Sequence, residues 1–207
     1  EDSQGDENAQ DAQDDGITLW ARCRETTGAP PYWPWCQLIE QYVAGTDEST
    51  VKAAVDGHLS ALLNAFPVLE PFATKSDTPS VDLNPDEARF QLYSHFQSFL
   101  ASASRSSTIL AIIDDFHWAD DDSLKLLEFM AESISNQRLV IVVLVRDDIP
   151  EDQKKTNVIS DTLLRERNVT RVQLERLDQF ATADLAHAYG VQNLNADLVD
   201  AIFTATE

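Results

Sequence analysis

Positive charge is what this sequence most lacks. Against 36 aspartates and glutamates stand 15 lysines and arginines, a formal charge of −21, and only 5 of the 15 are lysines. With no basic patch to release counterions, direct contact between this segment and nucleic acid phosphates is excluded. Scarce lysine beside abundant acid fits adaptation to high salt and says nothing about activity. Cysteine is scarce too. Cys23 and Cys36 are too few for a disulfide framework or a structural zinc site, so they read as free thiols in a reducing cytosol and the expected localisation is cytoplasmic. In that setting the sequon Asn168-Val169-Thr170 is coincidental. Long apolar runs are absent: the longest, Leu139–Val145, is far too short to cross a bilayer, and no membrane partner is expected. The first residue is Glu1 rather than Met, which suggests a segment of something longer.

What is present suits one substantial core. Apolar residues make up 43% of 207, enough for one α/β domain or most of one. Residues 1–15 carry seven acids, no base and only alanine as an apolar type, so they should form a disordered acidic tail or loop. The organising stretch is Thr108–Asp122, TILAIIDDFHWADDD. Its apolar run Ile109–Ile113 suits a strand buried on both faces of a parallel sheet, and Asp114 and Asp115 emerge at its carboxyl end. That edge is where open α/β sheets bind ligands, and paired carboxylates there are placed to hold a hydrated metal ion and polarise a water. The same two residues could also merely cap the following helix.

The continuation favours the first reading. Phe116-His117-Trp118-Ala119-Asp120 and Ser123-Leu124-Lys125-Leu126-Leu127 closely resemble the D-D-hydrophobic-H-W-A-D…S-L-x-L-L segment of an AAA-type ATPase family. Its members belong to the signal-transducing STAND class and occur in large ATP-binding LuxR-type transcription regulators and beside adenylate cyclase domains. The resemblance also takes in Leu19–Cys23, Gly28–Trp35, Val143–Asp148 and Leu174–Leu177, and it covers about residues 17 to 207. It implies an incomplete three-layer P-loop NTPase-like parallel sheet flanked by helices. The implied domain spans 16–177, with the start of a helical lid over 178–207. It also implies ATP and Mg²⁺ as cofactors of the intact parent, with other domains of that regulator as partners. Asp114 would hold Mg²⁺ as part of a Walker B motif, Asp115 would orient the attacking water, and Arg146, at the end of a neighbouring strand, would sense the γ-phosphate. Without the resemblance, Arg146 reads equally well as a structural partner of Asp115, Asp147 or Asp148.

One part of such a site is missing. A phosphate loop needs glycine-rich backbone and a lysine following glycine. The six glycines lie at 5, 16, 28, 45, 57 and 190, none precedes a lysine, and no GxxxxGK[ST] occurs. In the resembling family that loop and its strand precede the strand at Ile17, so the chain alone should bind ATP weakly or not at all. The alternative function is a degenerate, non-catalytic scaffold of the same fold. A hydrolase using Asp114 as nucleophile lacks the D-x-D arrangement and partner lysine it would need.

Along the chain, strands are expected at Ile17–Cys23, Leu139–Val145 (buried on both faces) and Arg171–Leu174. Helices are expected from Pro34, over Thr50–Phe66, from Pro85 behind an Asn84 cap, over Asp122–Ser135, near Ser160–Arg167, over Asp178–Tyr189 and over Ala196–Thr204. Asp120 is expected to cap rather than catalyse, Tyr32, Trp33 and Trp35 to pack rather than stack on adenine, and Arg165 and Arg167 to lie on a solvated helix face rather than act as trans-acting fingers. His95 has no identifiable partner.

Overall fold

The computed structural model describes residues 16–25, 30–75, 77, 83–134, 137–146, 163–191 and 194–206. Expectations for 1–15, for 147–162 and for Gly28 and Ala29 lie outside them. The chain divides into two compact units, Glu1–Val169 and Thr170–Glu207.

In the first unit, β1 (Ile17–Arg22), β2 (Ile109–Asp114) and β3 (Leu139–Val143) form a parallel sheet in the order β1-β2-β3. This is the expected α/β architecture, a parallel sheet flanked by helices. The register aligns Ile17 with Ile109, Ala21 with Ile113 and Arg22 with Asp114, and on the other side Ile109 with Leu139 and Ile113 with Val143. The helices of this unit are α1 (Trp33–Gly45), α2 (Glu48–Val55), α3 (Leu59–Leu62), α4 (Pro85–Ser106) and α5 (Asp121–Ser133). Short 3-10 turns cover Pro67–Phe72 and Phe116–Trp118.

Spatial order equals sequence order, so the connections all run the same way across the sheet. Connections between parallel strands share one hand, which stacks α1, α4 and α5 on a single face. There Leu19, Ala21, Ile109, Ala111 and Ile113 are buried against Trp35, Leu38, Ile39, Tyr42, Phe96 and Phe99. A void of about 20 Å³ remains between them, no more than one water needs, and its apolar lining keeps it dry. The opposite face differs from expectation. β2 alternates buried and half-buried residues rather than being sealed on both sides, and Trp20 and Val140 are 48% and 53% exposed. β3 is likewise not doubly buried: Leu139 is buried, but Val140 is exposed and Ile141 to Val143 are half-buried.

The outer edge of β1 is closed by side chains. Gln41 Nε2 donates to the Trp20 carbonyl at 2.6 Å while its Oε1 accepts from the Trp20 amide at 3.0 Å, and Gln37, one turn earlier on α1, repeats the pair on Arg22 at 3.2 and 3.3 Å. A primary amide carries the same donor and acceptor as a peptide group, so two glutamines satisfy the edge as a fourth strand would.

Local rules explain most helix boundaries. Pro34 sits in the first turn of α1. Asn84 Oδ1 accepts from the Asp86 and Glu87 amides at 3.1 and 3.0 Å, and Glu87 reaches back to the Asn84 amide at 3.3 Å, a complete capping box. The single helix expected over Thr50–Phe66 is instead two. Gly57 adopts φ +75°, ending α2 in the left-handed conformation that glycine enters without a Cβ penalty, and Asp47 rather than a later residue caps its start through the Thr50 amide at 3.0 Å. His95 on α4 does have a partner: His58 Nδ1 lies 3.1 Å from His95 Nδ1.

In the second unit α6 (Gln179–Ala188) and α7 (Ala196–Thr206) pack together, joined by Gln179 Nε2 donating to Asp200 Oδ1 at 2.9 Å. Asp178 and Asn195 cap them. The strand expected at Arg171–Leu174 does not form among the described residues; Val172 and Leu174 are 75% and 80% exposed. β-propensity is a weak guide for so short a run, because it reflects side-chain packing rather than an intrinsic backbone preference.

Candidate functional site

β2 delivers Asp114 to the carboxyl edge of the sheet, and the next residue leaves strand geometry at once. Asp115 has φ 54° and ψ 38°, a left-handed conformation uncommon outside glycine and best tolerated by Asn and Asp. Its amide donates to Asp114 Oδ1 at 2.9 Å. Both neighbouring chains hold this corner. The Cys23 amide donates to the Asp114 carbonyl at 2.9 Å, the Leu144 amide to the Ile113 carbonyl at 2.9 Å, and the Phe116 amide to the Leu144 carbonyl at 3.0 Å. Phe116 and His117 are buried behind it, which anchors the turn to the core while the two carboxylates face outward, 27% and 23% exposed.

A cation lies on these carboxylates. Arg22, aligned with Asp114 in the β1–β2 register, places Nε and Nη2 at 3.1 and 2.9 Å from Asp115 Oδ2, and its Nε is 3.7 Å from Asp114 Oδ2. Hydrogen bonding to Asp115, then the charges of Asp115 and Asp114, raise the pKa of the guanidinium above its ordinary value. Arg22 was not among the residues singled out from the sequence. The sequence shows only an arginine near the end of an expected strand; strand order and register are what bring it level with the acids. Arg146 follows β3 by three positions and is exposed. Leu144, two residues before it, is hydrogen-bonded to the β2 corner, so its backbone reaches the same sheet edge.

Asp120 is a structural fastening. Its Oδ1 accepts from the Ser123 and Tyr32 amides at 2.8 and 3.2 Å and its Oδ2 from the Ser123 hydroxyl at 2.6 Å. It therefore caps α5, as expected, and also holds Tyr32 in a left-handed conformation, φ 62°, at the entry to α1. Trp35 is 1% exposed, stacks edge-on against Phe96 at 5.4 Å and donates Nε1–H to the Ser123 carbonyl at 3.2 Å. Tyr32 meets the rings of Phe66 and Tyr93 at 6.2 and 6.3 Å. Both pack, while Trp33 is 39% exposed. Burial and nearby carboxylates push the Cys23 thiol up to about 12, and burial pushes Cys36 to about 11, so both are protonated and unreactive at neutral pH.

The carboxylates lie at an open edge. A groove of about 330 Å³ is lined by Tyr32, Asn64, Arg89 and Asp122, among others, but not by Asp114 or Asp115. The two adjacent carboxylates offer anionic oxygens of the kind a hard divalent cation takes; among the described residues no group of three or more His, Cys, Asp or Glu side chains is placed to hold a metal ion.

Comparison with curated proteins and with solved structures gives no match. A family profile described as AAA ATPase domain matches residues 6–143, a span that includes β1, the β2 corner and nearly all the helices of the first unit. No helix among the described residues is long and apolar enough to cross a membrane. The chain belongs to the AAA ATPase domain family.

Proposed function

We propose that this chain carries the magnesium and sensor edge of an ATP-driven signalling switch of the STAND type, part of a multidomain regulator such as the large LuxR-type transcription factors. The observation that carries this reading is the β2 corner, where Asp114 and Asp115 stand adjacent at the carboxyl edge of the middle strand of a parallel sheet. Family membership brings ATP and Mg²⁺ binding in general. The finer assignment gives Asp114 the metal, Asp115 the attacking water and Arg146 the γ-phosphate.

The corner supplies what these roles need from protein. Hydrogen bonds from Cys23, Leu144 and Phe116 fix its backbone, so the main chain that carries Asp114 is in place before a ligand arrives. Asp115 projects from the left-handed position beside it as a carboxylate able to accept a proton from, or orient, a water. A bound Mg²⁺ supplies charge neutralisation for the phosphate oxygens. Residues 178–207 read as the first helices of a lid whose contacts would differ between nucleotide states.

In the protein as the cell makes it, Asp115→Asn is expected to lower ATP hydrolysis by roughly 10²-fold or more while leaving nucleotide binding in place, and Asp114→Asn to weaken Mg²⁺-dependent ATP binding. Full hydrolysis by both variants would overturn the reading. Since no GxxxxGK[ST] occurs in the 207 residues, the chain by itself should bind ATP weakly or not at all, and micromolar binding of labelled ATP would contradict that. The second reading is a scaffold that keeps the fold without the chemistry, for which neither substitution would alter the output of the regulator; a G-x-x-G-x-G-K-[ST] upstream of Glu1 in the parent supports the switch, and its absence there supports the scaffold.

A further inference from the structure

Arg22 has a role that the proposed machinery leaves unassigned. Its Nε and Nη2 converge on a single oxygen, Asp115 Oδ2, at 3.1 and 2.9 Å, and Asp114 Oδ2 lies 3.7 Å from Nε. These are oxygens that a divalent ion at this corner would use. A guanidinium donor hydrogen and a metal ion both need the carboxylate lone pairs, so the two compete for them. The Arg22 side chain is 61% exposed, and an exposed ion pair is worth little. Arg22 is therefore displaceable rather than a permanent brace. Its backbone is fixed by β2 on one side and by Gln37 on the other, so a displaced guanidinium stays tethered at the sheet edge and has only its own side-chain torsions to adjust.

We propose that Arg22 is a resident counter-cation which holds Asp114 and Asp115 while the corner carries no metal, and that divalent-ion loading requires its displacement. The inference rests on the reading of Asp114 and Asp115 as the metal corner and concerns its regulation. Arg22 sets a threshold for ion loading, because any ion must outcompete a tethered charge before it can bind. It also keeps two adjacent carboxylates from repelling each other in the empty state.

The test is Mn²⁺ alone, without nucleotide, added to the full 207-residue chain in moderate salt. The readout is paramagnetic broadening of the Cys23 and Asp115 amide signals, which reports this corner specifically. The acid excess takes up Mn²⁺ elsewhere in every variant alike, so the differences between variants carry the result. Arg22→Gln is expected to shift half-broadening to about three- to tenfold lower Mn²⁺, from removing one nearby positive charge and one competing ion pair. Arg22→Lys, which keeps the charge but loses the forked contact, should fall between. The effect of Arg22→Gln should vanish in an Asp115→Asn background. A purely structural Arg22 would instead lower the melting temperature of Arg22→Gln without changing the Mn²⁺ response. Equal or weaker Mn²⁺ response in Arg22→Gln overturns the proposal; if Asp114→Asn then still abolishes the response, the metal corner itself survives. Broadening unaffected by Asp114→Asn and Asp115→Asn would sink both.

Discussion

The two faces of the three-stranded sheet have nearly the same composition and opposite surroundings. One presents Leu19, Ala21, Ile109, Ala111 and Ile113, all at most 5% exposed, while the other presents Trp20 and Val140 at about half exposure, with Leu110, Ile112 and Val142 half-buried between them. Hydrophobicity does not separate the two sets. The difference comes from the winding: three parallel strands laid down in one direction put every connecting helix on one side, and the second layer that a parallel sheet normally carries is not found among the described residues. The carboxylate corner joins the two surroundings. Phe116 anchors it in the packed side, while Arg22 and Asp114 project from the half-exposed one.

That contrast can be broken by substitution. The largest effect is expected on the covered face, where Ile113→Ala and Phe96→Ala should each cost about 2–5 kcal/mol by urea denaturation, since both side chains are fully enclosed and the cavity left behind cannot collapse. Removing an edge closure comes next. Gln41→Ala leaves the Trp20 amide and carbonyl without their side-chain partners, at about 1–2 kcal/mol for two exposed hydrogen bonds, and it should increase concentration-dependent association in sedimentation, because an uncovered strand edge recruits another strand. Asn84→Ala, which dismantles the capping box of α4, should cost about 1 kcal/mol. Val140→Ala, on the half-exposed face, should change stability by no more than about 0.5 kcal/mol. If Val140→Ala costs as much as Ile113→Ala, the two faces are equally packed in solution and the contrast fails.

A pH series sharpens the same map at the α3–α4 contact. Burial, then the charge of His95, lowers the pKa of His58 below its ordinary value, with Asp56 opposing. The unfolded chain therefore takes up this proton at higher pH than the folded one. Stability should be fully present above the ordinary histidine range and decline as pH falls from there through the lower folded value. Two protonated rings with Nδ1 atoms 3.1 Å apart cannot keep their hydrogen bond. His95→Gln should flatten this part of the denaturation profile, and an unchanged slope would show that the pair does not couple. Asp47 acts in a different window. Hydrogen bonds from Ser49 and Thr50 hold its carboxyl down at about 2, so its contribution persists above the ordinary carboxylate range and is lost only in strong acid.

Local signals explain what was legible from residues alone. The Asn84-Pro85-Asp86-Glu87 start, Pro34 in the first turn of α1 and the Asp120 cap each depend on interactions spanning a few residues, and each stands in the structure as read; the β2 run also forms a strand ending at the acids, though only one of its faces is sealed. The break at Gly57 was missed because an apolar period that continues across a glycine looks like one helix until the backbone must choose a left-handed turn. The strand expected at Arg171–Leu174 was misread for a related reason: β-propensity describes fit to a pleated, half-buried surface rather than a preference of the backbone itself.

By itself the sequence determined the chemistry available at the corner, two carboxylates ending an apolar strand in a domain with a strong acid excess, and it showed that no GxxxxGK[ST] occurs within these 207 residues. Tertiary structure alone decided which cation meets those carboxylates, that two glutamines close the β1 edge, that His58 finds His95, and which face of the sheet is packed. Each of these depends on strand order, register or helix placement, which bring together residues between 15 and 93 positions apart, and no local preference of the chain encodes such a pairing.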